Sequence, residues 1–366
     1  MKPQKETSEV LIVGAGLSGL MLATQLINKG IHVRLIEARN RSGGRMLSVA
    51  STPNIDTAYF DMGPSWIWPG QRLIENLLKS LSIDVFEQYS TGNLVYEDAM
   101  GQVRCDYDYS TMAGSLRIDG GMQRVINRLK ENLPEASVFE SHRLASIKTS
   151  DEKITATVET SQSTIEFHSS KIVFCIPPRL AASTISFEPK LPTNVIQSLK
   201  LIPTWMASHG KLTAVYDKPF WRDIGLSGDA ISRQGPLMEI HDASPMNLAC
   251  GALFGFVGLP AHSPERESSV LIESAIKQLE RLFGPQATNP IGVFFQDWAL
   301  EPFTATQDDA VSDHHPDYGL TDNIKAMKDR GIYFSSTETA SRSGGFIEGA
   351  LEAAGNTARL ILADLG

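Results

Sequence analysis

A short apolar run that turns at once into three spaced glycines limits the folds open to this chain more than any other stretch. Val10-Leu-Ile-Val13 reads as a buried strand, Gly14, Gly16 and Gly19 follow as G-x-G-x-x-G, and 20–26 is a helix-forming run. Gly30 breaks the helix, and 31–36 reads as a second strand ending at Glu37. Each glycine has its own physical task. Gly14 permits the tight turn, Gly16 lets backbone approach a pyrophosphate, and Gly19 lets the helix pack on the strand. Glu37 stands at the spacing where a carboxylate accepts hydrogen bonds from a ribose. Glycines alone would be weak evidence. With a strand before them, a helix after and an acid closing the second strand, they read as a dinucleotide-binding unit.

The far end of the chain carries a matching feature. Ile332-Tyr-Phe-Ser-Ser-Thr-Glu-Thr-Ala340 reads as a strand and an acidic turn, and Gly344-Gly345 precede an amphipathic helix. A helix start presents free N–H groups and a positive dipole end, where an anionic group docks. Both ends therefore belong to one nucleotide-binding domain, read as 1–85, 113–200 and 301–366. A second, discontinuous domain takes 86–112 and 201–300. The fold class expected is α/β, Rossmann-type, with a shortened mixed sheet-and-helix substrate domain. Between the ends we read helices at 72–81, from Gly120-Gly-Met122 to about 133, at 269–283 and at 350–365. A three-stranded meander is read at 144–148, 154–159 and 164–176, with turns at 149–152 and 161–163, and further strands at 212–216, 251–257, 292–298 and 332–335.

Composition excludes several classes. At 366 residues the chain can bury two cores. A net charge of −9 argues against nucleic acid as a partner. Cys105, Cys175 and Cys250 are far apart and form no C-x-x-C pair, which argues against a dithiol relay and against a metal site. Such thiols suit a reducing compartment, so a cytoplasmic location is expected. The N-terminus leads straight into a strand, so no signal peptide is read, and no run reaches the ~18 apolar residues of a membrane helix. No Ser-His-Asp arrangement or P-loop is seen.

The remaining motifs run the length of the chain. They are Glu37-Ala-x-x-Arg-x-Gly-Gly-Arg45, Asp61-x-Gly-Pro64, Gly120-Gly-Met122, Ile176-Pro-Pro178, Lys211 ahead of Pro219-Phe-Trp221, Trp298-x-x-Glu-Pro-Phe303, and Tyr333-Phe-x-x-Thr-Glu-Thr-Ala340 with Glu348-Gly-Ala350. On these residues the chain resembles the flavin-containing amine oxidases, the monoamine and polyamine oxidases. The N-terminal motifs are shared with other flavoproteins; the Thr-Glu-Thr-Ala ending is far more specific.

The resemblance implies FAD as cofactor. Glu37, with Ala38 beside it, would bind the adenosine ribose. Ser18, Gly44 and Arg45 would lie along the pyrophosphate, although Arg45 by itself also reads as a surface cation. Gly63, Pro64 and Ser65 would line the flavin, Val138 would meet the adenine through its backbone, and Glu338 would sit by the ribityl and pyrophosphate region. Phe346 and Ile347 would open a helix whose N–H groups face the flavin, where the reduced ring is anionic. Lys211 looks like the family's active-site lysine, which holds a water against flavin N5; without the family it reads as a solvated strand lysine. A buried amine there would have a depressed pKa. His209 shares its strand face by period two, as a cavity wall or as an ordinary satisfied histidine. Trp66, Trp68, Trp298 and Phe346 are expected cavity walls, each also readable as core.

Three departures shape the expectation. Gln307 stands where many members carry a flavin-tethered cysteine, so FAD should be non-covalent. The two tyrosines that hold the amine in monoamine oxidases correspond to Asp308 and Phe346. Asp308 could pair with a cationic amine, or simply cap a turn. The segment between Leu81 and Gly120 is short, so the site should be more open, or covered by a second copy of the chain. The function expected is oxidative deamination of a small-molecule amine, with hydride transfer to flavin and hydrogen peroxide formed on reoxidation by molecular oxygen. L-amino-acid oxidation is the nearest alternative, but Trp66 stands where its carboxylate-binding arginine would be. A desaturase and a non-catalytic FAD-binding protein stay open.

Overall fold

The computed structural model describes residues 4–51, 58–150, 153–309 and 315–365. Val10–Val13 is apolar and buried at every position, as a strand covered on both faces must be. It is the centre of a five-stranded sheet in the order Val138–Phe139, Val33–Ile36, Val10–Val13, Lys171–Phe174, Ile332–Phe334. Every pairing in it is parallel. The helix Leu17–Ile27 connects the first two strands read from the sequence. Leu20 and Leu26 on that helix share a core with Leu351, Ala354, Ala358 and Ile361 of the helix Ile347–Leu365. The two ends of the chain thus meet in one Rossmann-type unit, as expected.

A second sheet has the order Gln4–Thr7, Thr164–Ser169, Lys153–Glu159, Arg143–Ser150, Ser186–Glu188. The meander read at 164–176 needs correction, because that run is two strands. Burial alternates through Thr164–Ser169, then Ile172, Val173 and Phe174 are apolar and buried in succession and the strand Lys171–Phe174 enters the parallel sheet. The break is fixed at Ser170, where the Ser170 and Lys171 N–H groups and Ser170 Oγ all donate to the Glu9 carbonyl. Val138 stands outside the meander. It pairs with Leu35 at the edge of the parallel sheet. The turn read at 149–152 lies partly outside the described residues.

The third sheet has seven strands, in the order Gly292–Asp297, Gly210–Tyr216, Gly251–Val257, Leu237–Asp242, Leu226–Ser232, Asn93–Glu97, Val103–Tyr107. Helix Ser268–Phe283 backs it through Leu271, Ala275, Leu279, Leu282 and Phe283. The strands Leu226–Ser232 and Leu237–Asp242 escape a reading by pattern. Ser227, Asp229, His241 and Asp242 are buried polar residues that hide the apolar alternation. Val85–Glu87 pairs with Leu116–Ile118 and closes the base of the short 88–115 excursion, whose hairpin joins this sheet. Among the described residues no helix is long and apolar enough to cross a membrane.

The packing of the first helix can be tested at one atom. A Cβ on Gly19 would stand 2.0 Å from the Gly14 carbonyl oxygen, so the helix would have to move off its strand. Overpacking of this kind costs about 1–3 kcal/mol, and Gly19→Ala should lower the thermal midpoint accordingly. Gly355, with nothing within 4 Å of an added Cβ, is the control, and Gly355→Ala should leave the midpoint unchanged or raise it. Equal midpoints for both variants in scanning calorimetry would contradict this packing.

Candidate active site and cofactor cavity

A cavity of about 670 Å³ reaches from the glycine turn to the seven-stranded sheet. Its first third is built by the two glycine-rich turns. Gly14 takes a left-handed φ of 104°, and Gly16 bridges to Gly43, whose N–H donates to the Ala15 carbonyl at 2.8 Å. A Cβ on Gly16 would meet nothing closer than 4.0 Å, so that side of the turn is open space. Helix Leu17–Ile27 begins there with no side-chain cap on its first N–H groups. Glu37 lines the wall and accepts from Ala15 N and Arg39 N, both at 2.9 Å. Arg39 in turn grips Glu301 Oε2 at 2.9 Å and Thr304 Oγ1 at 2.8 Å. Ser18 also lines the cavity and donates to the Ser335 carbonyl.

The middle section joins the chain ends. Arg45 Nη1 lies 2.7 Å from Glu338 Oε1, and Glu338 is fully buried. Ser336 Oγ, on a cavity-lining residue, is buried with no hydrogen-bond partner among the described residues. Gly44, Gly63, Pro64 and Ser65 line the cavity, as do Phe346 and Ile347 at the start of helix Ile347–Leu365. Phe346 is 46% exposed and stacks on His315, with ring centroids 5.0 Å apart.

The far section holds Lys211, which is 2% exposed. Its Nζ donates to Ser65 Oγ at 2.6 Å and to the Gly63 carbonyl at 3.1 Å, and it lies 3.8 Å from the Phe254 ring centroid. Burial pushes the amine down to about 7, against the pull of the buried Asp61; Arg117 adds to the depression. Trp298 is pinned through Nε1 to the Met62 carbonyl at 2.9 Å, and Trp66 through Nε1 to Gln88 Oε1 at 2.9 Å. Both line the cavity together with Trp68 and His209. Among the described residues His209 Nδ1 has no partner, and burial, then Arg266, holds its imidazole below the ordinary range.

Five expected residues stand off the wall, among them Glu338 behind it. Gly19 lies beneath the turn, and Ala38 and Val138 are half-buried beside it. Asp308 is not brought to the cavity. It is exposed, and its carbonyl accepts from Arg179 Nη1 at 2.7 Å. The buried neighbour Asp309 does the structural work, accepting from Arg179, Thr204 N and Thr306 N. Wall residues that the sequence reading missed include Arg39, Trp205, Met206, Glu239 and Phe256. Arg39 sits inside a quoted motif and was findable, and period-two alternation on 251–257 would have placed Phe256. Trp205 and Glu239 carry no local signal.

These donors fit a dinucleotide: an open glycine turn, an uncapped helix start, a buried acid after the second strand, and unpartnered polar atoms in the middle section. Residues 88–362 match the family described as flavin containing amine oxidoreductase, and residues 12–81 match an NAD(P)-binding Rossmann-like domain. The chain belongs to the flavin-containing amine oxidoreductases. It is an oxidoreductase acting on CH–NH donors, with FAD as its cofactor.

Among related proteins, it is 25% identical to putrescine oxidase of Kocuria rosea, over 81% of this chain and 83% of that one. It is 23% identical to a probable flavin-containing monoamine oxidase A of Dictyostelium discoideum, over 94% and 95%. A solved putrescine oxidase bound to putrescine shares the fold with a TM-score of 0.82 at 22% identity, covering 98% of this chain and all of that one. The Dictyostelium alignment runs over 457 positions, against 366 residues here, so the shortfall of this amine oxidoreductase lies inside the chain.

The depressed amine of Lys211 makes stability depend on pH. In the folded chain Lys211 releases its proton near 7; in the unfolded chain it releases it near the ordinary lysine value of about 10.4. Between those values the unfolded state holds the extra proton, so this group's contribution to stability rises with pH; below 7 its burial penalty is complete. Lys211→Met removes that dependence. Relative to wild type, the variant's thermal midpoint should be highest at about pH 6 and fall back steadily towards about pH 10. A gap that is constant with pH would contradict the burial of this amine.

Proposed function

We propose that the chain oxidatively deaminates an amine and passes the electrons to oxygen. Lys211 is the observation that carries the reading. A neutral lysine amine has two N–H donors and one lone pair. The Ser65 hydroxyl and the Gly63 carbonyl take the donors, which leaves the lone pair to accept a proton from a bound water or from a substrate ammonium group. An amine must be neutral to give up a hydride from its α-carbon, and a lysine that titrates near 7 can take that proton at neutral pH.

Gly14, Gly16, Ser18, Glu37, Gly44 and Arg45 would hold the dinucleotide half of FAD, and Gly63, Pro64, Trp298 and Ile347 the flavin half. Val138 and Glu338 would act from behind the wall. When bound, FAD accepts the α-carbon hydride and hands two electrons to oxygen, giving hydrogen peroxide. Water then hydrolyses the imine to a carbonyl compound and ammonia or an amine. The start of helix Ile347–Leu365 supplies a positive dipole end for developing negative charge. Met62, Trp66, Phe256 and Trp298 form an apolar wall that excludes water near Lys211.

FAD is bound without a covalent link in this reading. Gln307 is exposed and outside the cavity. Cys175 does line the cavity, at the glycine turn, but burial pushes its thiol up to about 12, so it is not a nucleophile. An amino-acid substrate is disfavoured. Among the described residues the substrate end has no arginine on its wall, and Trp66 and Glu239 stand there instead.

Anaerobic mixing with a panel of amines should bleach the flavin absorbance, and readmitting oxygen should restore it with peroxide. If no amine bleaches it, the reading fails. Lys211→Met should retain FAD yet slow reduction or reoxidation by at least tenfold; unchanged stopped-flow rates would remove Lys211 from the mechanism. Acid precipitation should release all the yellow colour, and colour retained in the pellet would show a covalent link.

A further inference from the structure

A lysine that takes a proton from each substrate must lose it before the next, and Lys211 is poorly placed to do so alone. It is 2% exposed, and two of its hydrogens are tied to Ser65 Oγ and the Gly63 carbonyl. A protonated amine has three N–H donors, so the proton to be lost is the third, on a side chain that lines the cavity. Met62, Trp66, Phe256 and Trp298 surround that end with apolar surface. Asp61, the buried carboxylate that pulls on this amine, does not line the cavity. Its Oδ1 is taken by Ser48 Oγ at 2.6 Å and by Met122 N at 2.8 Å.

His209 stands two residues back along the same stretch of chain, is half-buried, and also lines the cavity. The extended ladder reaches it. Gly210 pairs with Val257 and Asp297, and the His209 carbonyl accepts from Trp298 N at 3.0 Å. Side chains two apart on such a chain share a face, with Cα atoms roughly 7 Å apart, and one water closes a gap of that size. Among the described residues neither ring nitrogen of His209 has a hydrogen-bond partner. Nδ1 is buried, so Nε2 is the nitrogen open to the cavity. A fixed cation stands beside the ring. A Cβ on Gly210 would lie 3.2 Å from Arg266 Nη2, and Arg266 is committed elsewhere, to both Asp297 oxygens at 2.7 Å and to the Leu259 carbonyl at 2.9 Å. Burial, then this charge, keeps the imidazole neutral at neutral pH, able to take a proton and quick to give it up.

We propose that His209 is the relay that carries the proton of Lys211 out to solvent, which returns the lysine to its neutral form for the next substrate. The inference rests on the amine oxidation proposed above and adds the route of its proton. The substrate ammonium gives one proton to the Lys211 lone pair. Lys211 passes it through one water to His209 Nε2, and the imidazolium hands it to a base in solution. At each transfer one bond to hydrogen breaks and another forms, the bridging water is left as it was, and the hydride step is untouched. The ring holds its proton less tightly than the lysine, so the inner transfer is slightly uphill and the final loss to solvent draws it through.

The test uses the holoenzyme with an amine that bleaches its flavin. Lys211 can store the proton of one substrate, so His209→Ala should keep the first anaerobic flavin reduction within about twofold of wild type yet lower kcat in air by roughly tenfold or more. Imidazole added to this variant should restore most of the lost kcat, saturably and in step with its neutral form, and should leave wild type unchanged. His209→Gln fills the space without carrying a proton, so it should be slow in turnover and respond little to imidazole. Both variants should show a larger solvent deuterium isotope effect on kcat than wild type. Unchanged kcat, or a loss that imidazole does not restore in His209→Ala, overturns the relay while leaving amine oxidation standing. A first reduction slowed as much as turnover also overturns it, because His209 then acts on the substrate or on the fold. If no amine bleaches the flavin, amine oxidation itself fails and the relay falls with it.

Discussion

A guanidinium from the first fifty residues lies 2.7 Å from a carboxylate of the last thirty, and the cavity is organised around that contact. Glu338 is fully buried. An uncompensated carboxylate there would cost several kcal/mol, so the turn that carries it and the glycine loop that carries Arg45 hold each other in place. The parallel sheet makes the meeting possible. Ile332–Phe334 is its outer strand, beside Lys171–Phe174, so the chain leaves it on the same side as the Gly14 turn. Ser18 closes the arrangement by donating to the Ser335 carbonyl. Two helices then start at one cavity, Leu17–Ile27 and Ile347–Leu365, and their positive ends make it a site for an anionic cofactor.

The opposite wall depends on a buried amine that has no ion pair among the described residues. Lys211 spans the gap between the seven-stranded sheet and the Gly63–Ser65 segment through two hydrogen bonds. Trp298 makes a parallel link to the Met62 carbonyl, and Gln88 joins Trp66 to the Asp242 carbonyl. Asp61 is the nearest source of negative charge, yet burial raises its own carboxyl while lowering the lysine. Each group is pushed towards its neutral form by the same low-dielectric surroundings. A lysine used for proton exchange needs this balance; a direct salt bridge would keep it charged.

The cofactor half was legible because its requirements are local. Gly14, Gly16, Gly19 and Glu37 are set by the geometry of one turn and one strand, and they appear as fixed spacing. The central strands were harder. Leu226–Ser232 and Leu237–Asp242 bury Asp229, His241 and Asp242 in hydrogen bonds that no sequence window displays. The meander reading fails where a single serine ends one sheet and begins another, although the change from alternating to continuous apolar residues at 172–174 marks the place. Asp308 was a different kind of miss. Its neighbour Asp309 makes every buried contact of that turn, and adjacent aspartates cannot be told apart by motif position. The row of Lys211, Phe256 and Glu239 depends on pairing across three strands and on a bulge, neither of which is written in any one segment.

The substrate end of the cavity is open to solvent. Trp68, Met238 and Phe346 are 37%, 49% and 46% exposed although each lines the cavity. Asp308 is exposed and does not line the cavity, so it adds nothing to the aromatic wall. Apolar contact orients a flexible alkyl chain weakly, since it is non-directional.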